Sequence, residues 1–213
     1  MKNKYKYIVT SAFPYTNGYL HIGHLAGVFI PADIYVRYLK SIGKKVLFIS
    51  GSDENGSSIV IESLKKKKKI IYLINKYNKY FKKNLKKFNI SLNNFFRTSD
   101  KNHHKLSKKI FKKLYKKKIF ILKKNKQYYD KYYKQFLADR YVIGICPFCK
   151  EKKIYSDQCN KCGKIISNNK LINPISILSF KKPILKYTYN LFISFKIFKK
   201  FLKKLIKNYK KKK

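Results

Sequence analysis

Apolar residues follow two rhythms along this chain, and the rhythm changes near residue 115. Tyr7-Ile8-Val9 is a short apolar run of the length of a buried strand, and Val46-Leu47-Phe48-Ile49 is a second. Between them, residues 25–42 read as a helix that stops at Gly43, with Pro31 inside it predicting a kink. Strand, helix and strand on short links predict a parallel sheet of Rossmann type. The helical rhythm resumes over 59–64, breaks at the five lysines of 65–69, and returns over 70–88. There Ile70, Leu73, Ile74, Tyr77, Tyr80, Phe81, Leu85 and Phe88 form a stripe read as core rather than as a stacking platform for bases. Residues 95–98 predict a third strand, with Ser99 or Asp100 capping a helix over 101–117. Beyond it come short β-like runs at 119–122 and 127–129, a strand over 189–195, a short amphipathic helix over 197–206, and a lysine tail at 210–213 expected to fray. The fold class that follows is α/β: a Rossmann-type half over 1–114, then a small β-rich lobe over 115–213.

Residues 8–24, IVTSAFPYTNGYLHIGH, join the first strand to the first helix through Pro14 and the turn pair Asn17-Gly18. A strand, a turn and a helix N-terminus in that order make a seat for a phosphate. His21 and His24, three apart on the opening helix, lie on one face and can donate to one anion. Gly23, with no side chain, lets a flat ring approach the backbone. The second strand ends in Gly51-Ser52-Asp53-Glu54-Asn55-Gly56, and ligands of doubly wound sheets bind at such strand ends, so both segments are expected to face one crevice. Asp53 there is either a ligand-binding carboxylate or a cap for the following helix, a role that Ser57 or Ser58 could fill instead. His103 and His104, near a helix start, are expected to be exposed and are assigned no chemistry.

The cysteines stand in two pairs, Cys146-Pro-Phe-Cys149 and Cys159-Asn-Lys-Cys162. Each CxxC forms a tight knuckle, and two knuckles complete a tetrahedral four-thiolate site for one zinc ion. Four thiolates leave no open coordination position, so the zinc is structural rather than catalytic. The competing readings are a redox CxxC, which needs only one pair, and an RNA-binding zinc knuckle.

Charge widens the picture. The 213 residues hold 53 Lys+Arg against 9 Asp+Glu, a net charge of +44. That fits phosphate neutralisation on a nucleic acid. It fits equally a coding bias of an A+T-rich genome, since Lys, Ile, Asn, Tyr and Phe rise together while Trp is absent and Gly numbers 8. No apolar run approaches the length of a membrane span, and no secretory apolar stretch follows Met1. Paired thiols without a disulfide framework suit a reducing compartment, and a cytoplasmic location is expected.

Pro14-Tyr15-x-Asn17-Gly18-x-x-His21-Ile22-Gly23-His24 resembles the HIGH signature of class I aminoacyl-tRNA synthetases of the methionine, isoleucine, valine and leucine group. Val9-Thr10-x-Ala12-x-Pro14-Tyr15, the Gly51–Gly56 loop, Arg97-Thr98-x-Asp100-x-x-His103 and a single zinc ribbon after Leu137-x-Asp139-Arg140-Tyr141-Val142 are most similar to the methionyl-tRNA synthetases. The match to their Gly-Thr-Asp-Glu-His-Gly loop departs at Ser52 and Asn55. The resemblance implies activation of L-methionine by ATP with Mg2+, transfer of the aminoacyl group to tRNA-Met, and a zinc-bearing connective insertion. Carried onto this chain, it gives His21 and His24 as the catalytic pair on the phosphates, with Gly23 completing the ATP contacts. Ala12, Phe13 and Tyr15 would line the methionine pocket, Asp53 would hold the ammonium, and Cys146, Cys149, Cys159 and Cys162 would hold zinc. Met1 is the only methionine, so the family's Lys-Met-Ser-Lys-Ser loop is not in this sequence. The second Rossmann half and the anticodon-binding bundle likewise have no counterpart here. They are expected from elsewhere, such as a separate polypeptide, and this stretch alone is expected to activate methionine poorly. A truncated or non-catalytic RNA-binding remnant and another member of the isoleucine, valine and leucine group remain as alternative readings.

Overall fold

The computed structural model describes residues 6–166 and 170–210. The expected tail falls outside them from residue 211 onward. The chain divides into two compact units, Met1–Ser107 and Lys108–Lys213.

In the first unit β1 (Tyr7–Thr10) leads through a long loop into α1 (Ile22–His24), a π-helical turn (Leu25–Phe29) and α2 (Ile30–Ser41). Then follow β2 (Val46–Ser52), α3 (Ser57–Lys66), α4 (Ile70–Lys87), β3 (Asn94–Arg97) and α5 (Lys101–Lys116), which runs past the unit's end. The strands form one parallel sheet in the order β1-β2-β3, with Tyr7 opposite Val46 and Ser52 opposite Arg97. Helical crossovers are what parallel pairing requires. The central strand β2 is the most buried, and α2 closes over it through Val36 and Leu39 against Val46 and Phe48. Each such fully buried aliphatic or phenyl side chain contributes roughly 1.5–3 kcal/mol. The stripe of α4 is core along its middle, where Leu73, Tyr77 and Phe81 are buried against Phe95 of β3, but its ends, Ile70 and Phe88, are exposed.

The Pro31 kink takes a definite form. Pro31 has no N–H to give, and its ring would press on the Gly27 carbonyl in a regular helix. The chain widens one turn instead: the Ile30 N–H reaches back five residues to the Leu25 carbonyl, and Pro31 stands at the start of α2. The helix then ends at Ser41, with Gly43 at φ +72°. β2 outruns its apolar pattern because its serines find partners, Ser50 on the Ser11 carbonyl (3.3 Å) and Ser52 on Glu54 (2.8 Å).

In the second unit the two β-like runs are one strand, β4 (Phe120–Asp130). It precedes β5 (Gln135–Phe136), β6 (Val142–Ile145), β7 (Ile154–Tyr155), β8 (Ile172–Ser176), β9 (Ile184–Ile193) and α6 (Lys199–Lys210). β4 and β9 form a long antiparallel ribbon from Phe120 opposite Ile193 to Tyr129 opposite Ile184. Lysines hid that continuity from the apolar pattern. Within the ribbon they lie over aromatic rings instead of breaking it, Lys124 and Lys126 at 4.7 and 5.0 Å from the Tyr187 ring and Lys123 at 5.6 Å from that of Phe192. β6 pairs antiparallel with β7 and β8, and this small sheet carries the cysteine knuckles. Among the described residues no helix is long and apolar enough to cross a membrane.

Candidate functional site

The loop after β1 and the loop after β2 are stitched together at the carboxyl ends of their strands. The Asp53 N–H donates to the Pro14 carbonyl (2.9 Å), and the Thr16 N–H and hydroxyl both donate to the Asp53 carbonyl (2.9 and 3.2 Å). Tyr15 and Asp53 are thereby neighbours in a parallel bridge, which extends the sheet pairing past the end of the strands. Phe13 lies against the bare backbone of Gly51, where a Cβ would stand 3.3 Å from its ring, and the Tyr15 ring approaches Gly56. Ala12, Phe13 and Tyr15 are all exposed, so these side chains form an open surface beside Asp53.

Asp53 does not cap α3. The cap position is Gly56, at φ +123°, and no side chain bonds there, neither Ser57 nor Ser58. The Asp53 carboxylate instead accepts the Asn55 N–H at 3.2 Å, a local turn. Its neighbour Glu54 behaves in the opposite way: its side chain is fully buried and ion-paired to Arg97.

After the turn at Asn17-Gly18, Tyr19 packs edge-on against Tyr77 and Tyr80 of α4, with ring centroids at 5.2 and 4.5 Å. The chain next delivers the two histidines. Their rings lie 3.9 Å apart, tilted by 32°. The His21 N–H donates to Nδ1 of His24 (3.3 Å), which leaves Nε2 of His24 as the proton-bearing nitrogen. Burial first, and the neighbouring His21 second, hold the His24 imidazole below its usual pKa and favour its neutral form. Gly23 is where the His21 ring folds back, since a Cβ there would stand 3.1 Å from that ring. The first-turn N–H groups of His24 and Leu25 return to the His21 carbonyl, so the helix start offers fewer free donors than the sequence implies. Among the described residues no hydrogen bond joins either imidazole directly to Asp53.

In the second unit the four cysteine sulfurs lie within 4.8 Å of one another. Cys146 and Cys162 are separated by 3.9 Å, Cys149 and Cys159 by 3.6 Å. A tetrahedral zinc with bonds of ~2.3 Å sets its sulfurs about 3.8 Å apart, so the donors present fit that ion. The two knuckles are built alike. The N–H after each second cysteine, on Lys150 and Gly163, donates to the carbonyl of the first, Cys146 or Cys159, and both donors have positive φ, +59° and +69°. Burial opposes the Cys146 thiolate, yet the Cys149 and Phe148 N–H groups and the other thiols outweigh it and bring that thiol to about 6. For Cys149 the Glu151 N–H favours ionisation, but burial and the neighbouring thiols push it up to about 11. Four cysteine sulfurs gathered this closely could hold a metal ion. Val142, Ile154, Ile166 and Leu171 form one buried cluster with Cys146 and Cys159, and Cys149 and Cys162 pack against it half-buried.

The Glu54–Arg97 pair had been hidden from the sequence. An acid and a base 43 residues apart carry no local signal, and only the register of β2 against β3 brings them together.

The family model described as tRNA synthetases class I (M) matches residues 7–213. Methionine–tRNA ligase of Cytophaga hutchinsonii is 46% identical over 201 residues, 94% of this chain, and that of Bacteroides fragilis is 48% identical over 187 residues, 88% of this chain. The chain spans only 29% and 28% of their lengths, in their N-terminal part. Among solved structures, the Mycobacterium tuberculosis methionyl-tRNA synthetase bound by methionyl-adenylate superposes with a TM-score of 0.60 at 18% identity, covering 92% of this chain and 33% of that one. A leucyl-tRNA synthetase from Agrobacterium radiobacter, in a ternary complex with tRNA, gives 0.63 at 18% identity over 92% of this chain and 21% of that one. At that identity the likeness speaks of fold alone. The sequence match decides between them: the methionyl relatives set aside the isoleucine, valine and leucine reading, and the chain belongs to the class I tRNA synthetases (M).

Proposed function

We propose that this chain supplies the amino-acid and ATP contacts of a methionine–tRNA ligase, with residues 1–114 as the first half of the catalytic domain and 115–213 as its zinc-bearing connective insertion. The observation that carries the reading is the bridge between Tyr15 and Asp53, which ties the histidine-bearing loop to the carboxylate-bearing loop. Asp53 holds the methionine ammonium, and Ala12, Phe13 and Tyr15 border the side chain. A methionine carboxylate oxygen then attacks the α-phosphorus of ATP in line, and the bond to pyrophosphate breaks. His24 donates through Nε2 to the phosphate oxygens, His21 stands beside it, and Gly23 keeps the approach clear. Catalysis at this stage is positioning and charge stabilisation. The terminal ribose of tRNA-Met next takes the aminoacyl group and AMP leaves. Mg2+ accompanies ATP, and the remaining phosphate contacts come from the part of the ligase that this chain does not span.

Cys146, Cys149, Cys159 and Cys162 would hold one zinc ion, which organises the small lobe and takes no part in either step. The ribbon of β4 and β9, with lysines over exposed tyrosines, supports RNA as the macromolecular partner. A cytoplasmic location belongs to the same reading and accords with four free thiols.

Methionine-dependent ATP–pyrophosphate exchange by the complete ligase tests it. Asp53→Asn should raise the methionine requirement on the order of 10²-fold, the worth of one charge-assisted hydrogen bond, while the ATP requirement stays within about twofold. Equal sensitivity to both substrates, or to neither, would remove Asp53 from the amino-acid site.

A further inference from the structure

β2 ends in two adjacent carboxylates that the structure treats in opposite ways. Glu54 is sealed in. Its carboxylate receives the Arg97 Nε–H at 2.8 and 2.9 Å, the Ser52 hydroxyl at 2.8 Å, and the Ser99 hydroxyl. Its own N–H donates to the Thr98 hydroxyl at 2.7 Å. Arg97 is held in turn by Asn75 on α4 (2.7 Å), and Asn78 of the same helix donates to Ser52 (2.8 Å). Asp53, by contrast, makes no ion pair among the described residues, in a chain with 53 Lys+Arg.

Stability alone does not account for Glu54. Stripping a carboxylate of water costs several kcal/mol, and its ion pair roughly returns that cost rather than exceeding it. What the network supplies is rigidity at one point. The backbone of Asp53 is fixed on one side by Pro14 and Thr16, and one residue on by Glu54, which fastens the loop to the end of β3 and to α4. Glu54 takes Arg97, and the Asp53 carboxylate, next to the backbone bridge with Tyr15, accepts the Asn55 N–H and forms no ion pair among the described residues. Displacing a binding group by a fraction of an ångström is enough to lose most of its use.

We propose that Glu54 is a positioning residue of the amino-acid site: its buried pair with Arg97 locks the end of β2 so that the Asp53 carboxylate is presented, unpaired, to the ammonium of the substrate. This rests on the reading of Asp53 given above. It also names Arg97, Ser99 and Asn75 as the support of that site, and it separates recognition of the amino acid from that of ATP.

Glu54→Gln in the full chain tests it, with binding of L-methionine, of its 2-hydroxy analogue and of ATP measured separately by NMR titration. Methionine affinity should fall about tenfold, as for one misaligned charge-assisted hydrogen bond. Binding of the hydroxy acid, which has no ammonium to lose, and of ATP should stay within about twofold. Glu54→Asp, which keeps a charge opposite Arg97, should recover part of the loss. If Glu54→Gln does not fold, as judged by its amide spectrum, Ser99→Ala removes one donor and should show the same selectivity at smaller size. Unchanged methionine affinity, or a parallel fall for all three ligands, overturns the proposal. A complete ligase whose Asp53→Asn variant keeps its methionine affinity overturns the Asp53 reading as well, and this inference with it.

Discussion

The crevice of the first unit and the cysteine cluster of the second both fix loops in space, by opposite means. The crevice is assembled from residues far apart in sequence, such as Tyr15 with Asp53 and Glu54 with Arg97, joined by backbone bridges and one buried ion pair. Ala12, Phe13, Tyr15 and His21 are exposed there, Asp53 and His24 half-buried, and Asp53 makes no ion pair among the described residues. The cluster gathers four ligands within a short stretch, buries Cys146 and Cys159 fully, and leaves no donor for anything else. A site proposed to take substrates keeps a carboxylate free of ion pairs and supports it from behind. A site that only holds a lobe together saturates its groups. The same contrast runs through the cores: α2 and α4 close the first unit with Val36, Tyr77 and Phe81 against Phe48 of β2 and Phe95 of β3, whereas two cysteines belong to the buried core of the second.

Taking the metal away should break the comparison most visibly. Chelation, or Cys159→Ser, should abolish the dispersed amide signals of the cysteine lobe, because metal binding of order 10 kcal/mol exceeds what so small a core supplies. The signals of β1, β2 and α4 should persist. A lobe whose spectrum ignores the chelator would mean the thiols are only core.

Next in size is the same insult given to each region. An added Cβ at Gly51 would stand 2.7 Å from the Phe96 carbonyl oxygen, and at Gly144 2.8 Å from that of Ile172. Each alanine substitution should cost about 1–3 kcal/mol in its own unit. With zinc bound the lobe should absorb Gly144→Ala better than the sheet absorbs Gly51→Ala. Urea titrations of the zinc-loaded protein, resolved by unit, would show it, and an equal or larger loss in the lobe would count against it.

The smallest effect concerns pH. The folded pKa of His24 lies below its unfolded value, so the unfolded chain binds the extra proton first as pH falls. The stabilisation is complete above about pH 6.5, the unfolded value, and is lost as pH drops through the folded pKa. His24→Gln should flatten the fall in melting temperature between about pH 7 and 5. ATP binding should move the same group upward, readable as a shifted imidazole titration.

The three strands and the helices of the first unit were legible because their apolar periods are clean, and the cysteine pairs because their spacing is local. Asp100 caps α5, its carboxylate accepting the Asn102 N–H at 2.7 Å, as the sequence predicts. What escaped needs long-range geometry. The bridge between Tyr15 and Asp53 depends on strands that pair 39 residues apart. β4 escaped because residues 123–126 look like a polar break until aromatic rings are set beneath the lysines. β9 begins at Ile184, five residues before its strongest apolar stretch, because β4 offers a partner along its whole length.

The widened turn at Leu25–Phe29 has a geometric consequence for the histidines. A helix turns by about 100° for each residue, so one surplus residue in the coil works as a spline between two otherwise rigid shafts. Upstream, the imidazole pair keeps its bearing; downstream, Val36 and Leu39 keep theirs. Winding that turn back to the regular pitch would swing one set out of alignment with the other, and the proline that forbids the regular pitch therefore also sets the azimuth of His21 and His24.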